Sequence, residues 1–220
     1  MDFLRKESEK IKDLYLNEHK SPKEIGEIYG VKRNRINYLL QELGVQKNQS
    51  EVKRLYEYNE DFFNCIDTPD KAYILGFWYA DGNVSRVNNS AVLALQESDE
   101  DTLEKIRKAI GSTKPLYHKK YLHPDGTERR TVSLVLNGDK TCSNFEKWGC
   151  PPAKTFLIEF PDFLREDLYS HFIRGYFDGD GCACVLSDGG FTVTIMSSTQ
   201  FCFGLQKYLI EKQGINFMVN

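Results

Sequence analysis

The 220-residue sequence lacks a long apolar run, a paired cysteine motif and an excess of charge of one sign. Without about 18 consecutive apolar residues the chain has no membrane-spanning segment, and its polar, charged start is unlike a secretory signal, so we expect a cytoplasmic protein. None of the six cysteines forms a CxxC pair, and the four histidines have no zinc-site spacing with them, which favours buried free thiols over a metal site. A net charge of -3 gives no basic field over the whole chain. Any surface for nucleic acid must therefore gather its basic groups on one face.

The first 45 residues have the apolar spacing of three short helices. Ser21, followed by Pro22 and then by Glu24, is a capping box that starts the second helix at 22–29. A short turn then leads into a third helix at 32–43. This order predicts a small all-α domain.

The third helix of this domain begins with basic and amide side chains. The segment resembles a helix-turn-helix, in which the last helix lies in the DNA major groove and uses residues near its N-terminus. Arginine and asparagine suit base edges, whereas lysine suits phosphates. The alternative is a solvated charged helix in a small bundle. The candidates for DNA contact are Lys32, Arg33, Asn34, Arg35 and Asn37.

A self-similar pair of segments is the most informative feature of the sequence. ILGFWYADG at 74–82 and IRGYFDGDG at 173–181 repeat glycine, aspartate and glycine at matching offsets, which indicates a duplicated, pseudo-twofold body. Small residues recur every four positions in both copies, so the two helices can approach closely and bring their C-terminal ends side by side. These small residues are Ala72, Gly76, Ala80, Gly175 and Gly179.

Each copy of the repeat ends its predicted helix on an acid, Asp81 in the first and Asp180 in the second. A carboxylate is disfavoured at a helix C-terminus, and two such ends placed together repel further. A divalent cation would offset both effects, because carboxylate and main-chain oxygens are the ligands that Mg²⁺ accepts. The pattern therefore predicts a site for Mg²⁺ or Mn²⁺. A single Asp-Gly would indicate no more than a helix end.

The two segments resemble the paired motifs of LAGLIDADG homing endonucleases, in the single-chain form with two pseudo-symmetric halves. The resemblance covers residues 68 to 220 and implies an α+β fold of αββαββα repeats, carried here behind the helix-turn-helix. It implies that Asp81 and Asp180 bind catalytic metals, with help from the carbonyls of Ala80 and Gly179. It also implies that the protein binds double-stranded DNA and is a monomer. The gene would belong to a phage or another mobile element such as an intron or intein, and the protein would lie in the cytoplasm or at the nucleoid.

Segments in which apolar and polar residues alternate follow each motif. The first copy has a hairpin at 84–87 and 91–96, a helix at 99–110 and a second hairpin at 114–122 and 131–137 that carries most of the local positive charge. The polar face of the strands suits DNA, and a soluble charged hairpin is the alternative. Gln96 is expected, by the family resemblance, to orient a nucleophilic water, and Lys119 or Lys120 to stabilise phosphate charge. Further DNA-binding candidates are Lys114, Lys119, Arg129, Arg130, Thr192 and Thr194.

The second copy has a hairpin at 183–186 and 191–196 and a helix that ends at residue 213, but only six residues follow Gly214. The second repeat is therefore expected to lack its second hairpin, either because the chain is a fragment or because this half is degenerate. If the second repeat is truly truncated, two chains could associate. We place a helix-turn-helix at 1–45, a linker or extended arm at 46–67, and the repeats at 68–158 and 159–220.

Three functions fit these patterns. The first is a site-specific, metal-dependent DNA endonuclease. The second is a DNA-binding transcriptional regulator that uses the same scaffold without cutting. The third is a calcium loop of the DxDxDG type built on Asp178 and Asp180, which is disfavoured because Cys182 occupies the third ligand position.

Overall fold

The structure is a computed structural model that describes residues 2–18, 20–45 and 56–219. The chain divides into two compact units, Met1–Leu55 and Tyr56–Asn220. The sequence predicts that the first helix ends near His19, which lies outside the described residues, as do residues 46–55 of the predicted linker. Within the described ranges, every helix is too short or too polar to cross a bilayer.

The described residues of the first unit form four helices: α1 (Asp2–Lys6), α2 (Ser8–Leu16), α3 (Pro22–Ile28) and α4 (Arg33–Glu42). Three of them were predicted. Helix α1 was missed because it contributes a single buried side chain, Leu4, and one apolar residue has no periodicity. The helices enclose a small core of Leu4, Ile11, Tyr15, Ile25, Ile36, Leu39 and Leu40.

The predicted capping box begins helix α3. The Ser21 hydroxyl accepts a hydrogen bond from the Glu24 backbone N–H at 3.3 Å, and the Ser21 N–H donates to the Glu24 carboxylate at 2.7 Å. Two N–H groups that a helix start leaves without partners are thereby satisfied. Helix α4 starts one residue later than predicted, with Lys32 as its N-cap.

The second unit contains five helices and six strands among its described residues. The helices are α5 (Pro69–Asp81), α6 (Glu100–Ala109), α7 (Asp139–Lys147), α8 (Tyr169–Asp180) and α9 (Thr199–Gln213). The strands are β1 (Gly82–Ser85), β2 (Ser90–Gln96), β3 (Tyr117–Leu122), β4 (Glu128–Asn137), β5 (Gly181–Val185) and β6 (Phe191–Ile195). The sequence also predicts a short helix at 143–148, and helix α7 starts four residues earlier than that. Lys114 precedes β3.

The first sheet has the antiparallel order β1-β2-β4-β3. Leu93 of β2 pairs with Gly82 of β1 and with Leu134 of β4, so Ala91 and Leu93 lie on the buried face of the sheet. The alternation of the sequence predicts that Ala91, Leu93 and Leu95 face the core. This is confirmed at the first two positions, and Leu95 is half-buried. Strand β1 begins two residues earlier than predicted, because the chain runs directly from the end of α5 into pairing with β2.

The second sheet has two strands, β5 and β6. Gly181 of β5 pairs with Ile195 of β6, which repeats the pairing of Gly82 with Leu93 in the first sheet. The order helix, two strands, helix therefore occurs in both halves, as predicted. After α9 the described chain, residues 214–219, contains no helix or strand.

Helices α5 and α8 form the centre of the second unit. Their buried aromatic residues pack against both halves, and the Trp78 ring stacks on Phe145 with centroids 4.3 Å apart. Residues 56–67 contain a turn at 60–63 and no strand, in place of the predicted strand or extended arm. The sequence favours covering the core edge over DNA contact for the aromatic residues of this segment, and this is confirmed: Phe63 is buried there and Phe62 packs against it.

Candidate metal and nucleic-acid site

Helices α5 and α8 cross at a point where a glycine of each touches the backbone of the other. A Cβ atom on Gly76 would lie 2.0 Å from the Phe172 carbonyl oxygen, and one on Gly175 would lie 2.0 Å from the Tyr73 carbonyl oxygen. Carbon and oxygen atoms cannot approach so closely, so only glycine permits this crossing at both positions. The predicted close packing of the two small-residue faces is confirmed.

The crossing brings the C-terminal ends of the two helices together. Asp81 is the last residue of α5 and Asp180 is the last residue of α8. A Cβ atom on Gly179 would lie 2.4 Å from the Ala80 Cβ and 2.8 Å from the Asp81 Oδ2. The Asp81 carboxylate therefore lies against the last turn of α8, one residue before Asp180.

Asp81 and Asp180 have unequal environments. Asp81 is half-buried and Asp180 is exposed. Burial raises the pKa of the Asp81 carboxyl, the nearby charge of Asp180 raises it further, and Lys154 opposes the shift. Repulsion between two acids at neighbouring helix C-termini is what a bound cation would relieve.

A buried lysine, Lys154, also reaches the end of α5. Its ammonium group donates hydrogen bonds to the carbonyl oxygens of Tyr79 and, at 2.7 Å, of Ala80. These carbonyls belong to the last turn of α5, which has no intrahelical donors for them. Burial lowers the pKa of Lys154, while Cys150, Asp180 and Asp81 favour its charged form.

The sequence prediction did not include Lys154. The residue lies in a short 3-10 helix, Lys154–Phe156, after Ala153 with its left-handed backbone. A single lysine in an irregular loop has no periodicity or motif that could have selected it. The contact also weakens the predicted metal-binding role of the Ala80 carbonyl, because that oxygen already accepts a hydrogen bond from an ammonium group.

A cavity of about 600 Å³ opens beside Asp81. Gln96, predicted to act near the metal, lines this cavity together with Asp99 and Thr131. Gln96 is exposed and lies opposite Thr131 in the pairing of β2 with β4. The fold therefore puts the predicted glutamine within the same cavity as the predicted metal ligand.

The donor set at the helix ends fits a magnesium-type ion. No group of three or more His, Cys, Asp or Glu side chains that could hold a metal is found in the described part of the chain. Mg²⁺ is commonly held by one or two carboxylates, with water and substrate phosphates completing its shell. Two carboxylates and the carbonyl oxygen of Gly179 meet that requirement, whereas a structural zinc ion would need four protein ligands.

The helical position of the two acids excludes the alternative of a calcium loop. Asp178 and Asp180 lie in the last turn of helix α8 rather than in a loop. The Asp178 carboxylate accepts a hydrogen bond from the Tyr73 hydroxyl at 2.8 Å. Burial, and then this hydrogen bond, raise the pKa of Tyr73 to about 12.

The chain matches no family model and no curated protein. Among solved structures it is similar to the homing endonuclease I-WcaI bound to its DNA recognition sequence, with a TM-score of 0.54 and 11% identity over 81% of this chain and 81% of that one. The chain has a LAGLIDADG-like fold. At this level of identity the similarity shows the fold and not the activity.

Two further structures are similar to the chain at lower TM-scores. Full-length DUF199/WhiA from Thermatoga maritima has a TM-score of 0.45 and 17% identity over 72% of this chain. The chain spans 50% of the length of that protein. The N-terminal LAGLIDADG domain of DUF199/WhiA has a TM-score of 0.44 and 16% identity, with coverage of 80% of this chain and 81% of that one.

The lysines predicted for catalysis lie elsewhere in the LAGLIDADG-like fold. Lys119 and Lys120 are exposed on β3, where Lys119 pairs with Thr131. The Lys119 ammonium lies over the Tyr121 ring, 5.6 Å from its centroid. Among the described residues, the lining of the Asp81 cavity includes neither lysine. Their catalytic role stays a prediction, and Lys154 is the lysine that reaches the helix ends.

The predicted basic hairpin is exposed, but acids accompany its arginines. Arg130 contacts Glu128 at 2.9 Å and Arg129 contacts Asp125 at 3.4 Å. The Lys114 ammonium donates to the Asn137 side chain at 2.8 Å, at the far end of β4. The hairpin therefore offers DNA less free positive charge than its composition indicates.

The remaining DNA-binding candidates lie on accessible surfaces of their own units. Thr192 and Thr194 share a face of β6, and Thr194 is exposed. The residues at the start of α4 are exposed while its opposite face, including Ile36, is buried. That orientation is the one that a recognition helix requires. The exposed candidates at this helix start are Lys32, Arg33, Asn34 and Arg35, and Asn37 is half-buried.

Proposed function

We propose that this chain binds double-stranded DNA and hydrolyses its phosphodiester bonds with a divalent metal held by Asp81 and Asp180. The observation that carries the proposal is the convergence of two acids and one buried lysine at the joined ends of α5 and α8. The close crossing at Gly76 and Gly175 is what brings these ends together. The fold it shares with a DNA-bound homing endonuclease supports DNA as the partner.

Mg²⁺ or Mn²⁺, when bound, would supply charge stabilisation for the scissile phosphate and for an attacking water. The carboxylates of Asp81 and Asp180 would hold the ion, assisted by the Gly179 carbonyl. Gln96 would accept or donate a hydrogen bond to water in the cavity beside Asp81.

Lys154 would supply the fixed positive charge of the site. An ammonium group has three N–H donors, and two of them bind the carbonyl oxygens of Tyr79 and Ala80. The third would donate to a phosphate oxygen. Because the lysine is buried and held at two points, its charge needs little reorganisation as negative charge develops on the phosphate.

Binding of the DNA would use both units. The basic N-terminus of α4 suits major-groove contact, and the first sheet presents its polar face and basic hairpin. Most of the affinity is expected from phosphate contacts and therefore falls steeply with salt.

A non-cleaving DNA-binding protein is the second candidate function. Among the described residues the second sheet has two strands where the first has four, and Asp180 is exposed whereas Asp81 is half-buried. A protein that only binds DNA could tolerate this difference, whereas cutting both strands requires two competent sites.

A plasmid assay with the full-length chain tests the proposal. Supercoiled plasmids that carry a random-sequence library are incubated with the protein and Mg²⁺ or Mn²⁺, and products are resolved as nicked or linear DNA. We expect metal-dependent products that Asp81→Asn and Asp180→Asn abolish, while Asp101→Asn, a matched change of an exposed acid in α6, leaves them intact. DNA binding in gel-shift assays without any metal-dependent product would establish the non-cleaving function instead.

A further inference from the structure

Two exposed thiols lie side by side on strand β5. Cys182 and Cys184 are both exposed, although the sequence composition favoured buried cysteines; that expectation is met only by Cys142 and Cys150. Residues two apart on a strand point to the same face. The strand therefore places both thiols on one surface, where they are exposed to solvent.

The two thiols are close enough to interact. Partial desolvation, and then the charge of Cys182 and a hydrogen bond with it, raise the pKa of Cys184. At roughly 3.3 Å per residue, their Cα atoms are about 6.6 Å apart in an extended strand. Disulfides join Cα atoms that are roughly 4.4 to 6.8 Å apart, a range that includes this spacing, but their Cβ atoms are roughly 3.5 to 4.5 Å apart. Parallel side chains on one face of an extended strand keep their Cβ atoms about as far apart as their Cα atoms, so closure requires β5 to contract and leave its extended geometry.

Strand β5 can contract because it is held on one side only. It pairs with β6 and has no other partner strand among the described residues. Cys182 faces Thr194 and Cys184 faces Thr192 across that pairing. Asp180 immediately precedes the strand.

The first repeat has no such pair. Because Gly82 and Gly181 occupy equivalent register positions, Cys182 corresponds to Asn83 and Cys184 to Ser85. The second repeat thus carries two oxidisable side chains where the first carries two redox-inert polar ones. This difference also supplies a matched control within the chain itself.

We propose that Cys182 and Cys184 form a dithiol site that a low-molecular-weight disulfide oxidises to an intramolecular disulfide. One thiolate attacks the small disulfide, forms a mixed disulfide and releases one small thiol. The second protein thiol then attacks the mixed disulfide, releases the other small thiol and closes the protein disulfide. Two protein thiols are oxidised, one small disulfide is reduced to two thiols, and no other reactant is needed.

Closure of this disulfide contracts the strand next to Asp180 and alters the face that carries Thr192 and Thr194. DNA affinity should therefore fall in the oxidised form and return on reduction. This consequence rests on the proposed function, whereas formation of the disulfide does not.

The chemical test uses the full-length chain with Cys65→Ser, which removes the other exposed thiol. The protein is treated with oxidised glutathione and its peptides are mapped by mass spectrometry. We expect a peptide containing both cysteines that is lighter by two hydrogens and is restored by dithiothreitol. Cys184→Ser should instead trap a glutathione adduct on Cys182. A wild-type pair that stays reduced, or that stops at the adduct, would overturn the proposal.

The functional test compares DNA binding of oxidised and reduced protein. We expect oxidation to weaken binding roughly tenfold, equivalent to about 1.4 kcal/mol, and the double variant Cys182→Asn with Cys184→Ser, which copies the first repeat, to bind alike under both conditions. An oxidised protein that binds as tightly as the reduced one would overturn the coupling to DNA. A reduced protein that binds no DNA would instead contradict the proposed function, and the mass measurement would still decide the dithiol site.

Discussion

Charges at the end of helix α5 act against folding and in favour of ligand binding. Asp81 is half-buried at a negative helix end, with Asp180 beside it. Its burial and the charge of Asp180 both raise the pKa of its carboxyl. Lys154 is buried at the same end and its pKa is lowered. Residues that are individually unfavourable persist where a ligand compensates them, which is why shifted pKa values mark functional sites.

Replacement of Asp81 by asparagine should stabilise the metal-free protein at neutral pH. The pKa of Asp81 is higher in the folded chain than in the unfolded chain. The folded state therefore loses stability as the pH rises from the ordinary pKa of an aspartate to the raised pKa of Asp81. Asparagine removes that loss. We expect Asp81→Asn to raise the Tm at pH 7, by roughly 2–4 °C for each kcal/mol relieved, and the gain to vanish below the ordinary pKa of an aspartate.

Thermal melts across a pH series measure this effect. Glu211→Gln, which removes an exposed acid from α9, serves as the control and should change Tm little at any pH. Added Mg²⁺ should raise the Tm of the wild type and not that of Asp81→Asn. A wild type and variant that melt together at pH 7 would contradict the assignment of an unfavourable charge to Asp81.

Lys154→Met should separate charge from packing at the site. Methionine keeps most of the side-chain length but removes the ammonium that contacts Tyr79 and Ala80. We expect the DNA cleavage rate to fall by about 10²–10³, as for loss of one preorganised donor, with DNA affinity nearly unchanged. Single-turnover cleavage and gel shifts measure the two quantities. Unchanged cleavage by a folded Lys154→Met protein would remove the lysine from the mechanism.

At the scale of elements, the crossing of α5 and α8 positions everything else in the second unit. Helix α5 is capped at its start by the Thr68 hydroxyl, which accepts from the Lys71 backbone N–H, and runs without interruption to Asp81. Helix α8 runs to Asp180. Since each helix leads directly into a strand, the angle of the crossing also sets where the two sheets begin.

Gly76→Ala should disrupt this crossing. The added methyl group would lie 2.0 Å from the Phe172 carbonyl oxygen, and a backbone atom cannot move aside without separating the helices. We expect a loss of about 3 kcal/mol in the free energy of unfolding, at the upper end of overpacking effects. Gly190→Ala is the control, because its Cβ would meet only the ends of flexible side chains, the Asp188 Oδ1 at 3.0 Å and the Leu186 Cδ1 at 3.5 Å.

Urea denaturation of both variants measures these losses. The control should cost well under half as much as Gly76→Ala. Equal stability of the two variants would show that the helices have room to adjust, and would contradict the claim that the glycine pair fixes their distance.

At the scale of the whole molecule, the chain joins two units with separate cores. The second unit holds both acids of the candidate site on one chain, so a single chain contains both halves of the pseudo-twofold arrangement. The first unit has an exposed basic helix start at α4. This division predicts that affinity and chemistry can be altered independently.

Arg33→Ala combined with Arg35→Ala should weaken DNA binding without affecting the chemical step. If each arginine binds one phosphate, the slope of log affinity against log salt should decrease by about 0.9 for each arginine replaced. Lys12→Ala in α2, whose ammonium is paired with Glu9, is the matched control. Binding titrations at several salt concentrations and single-turnover cleavage at saturating protein measure the outcome. An unchanged salt slope would assign the α4 start to a solvated helix surface.

Local patterns predicted a large part of this structure. The capping box at Ser21, the helix ends at Asp81 and Asp180, and the glycine contacts at the crossing all follow from short-range spacing. Helix α1 and the turn at residues 60–63 were not predicted, because each depends on what a few side chains bury rather than on a repeating pattern. The catalytic lysine candidates were chosen by resemblance, and the lysine that reaches the helix ends was a different one.

The sequence alone determined that two equivalent helices each end on an acid followed by glycine, because helix signals and small-residue spacing act over a few neighbouring residues. Only the tertiary structure decided that Asp81 is the more buried of the two acids, that Lys154 reaches its helix end, and that Cys182 and Cys184 are exposed. Burial and charge pairing arise between segments far apart in the chain. Ala80 and Lys154 are 74 positions apart in the sequence, and no local pattern spans that distance.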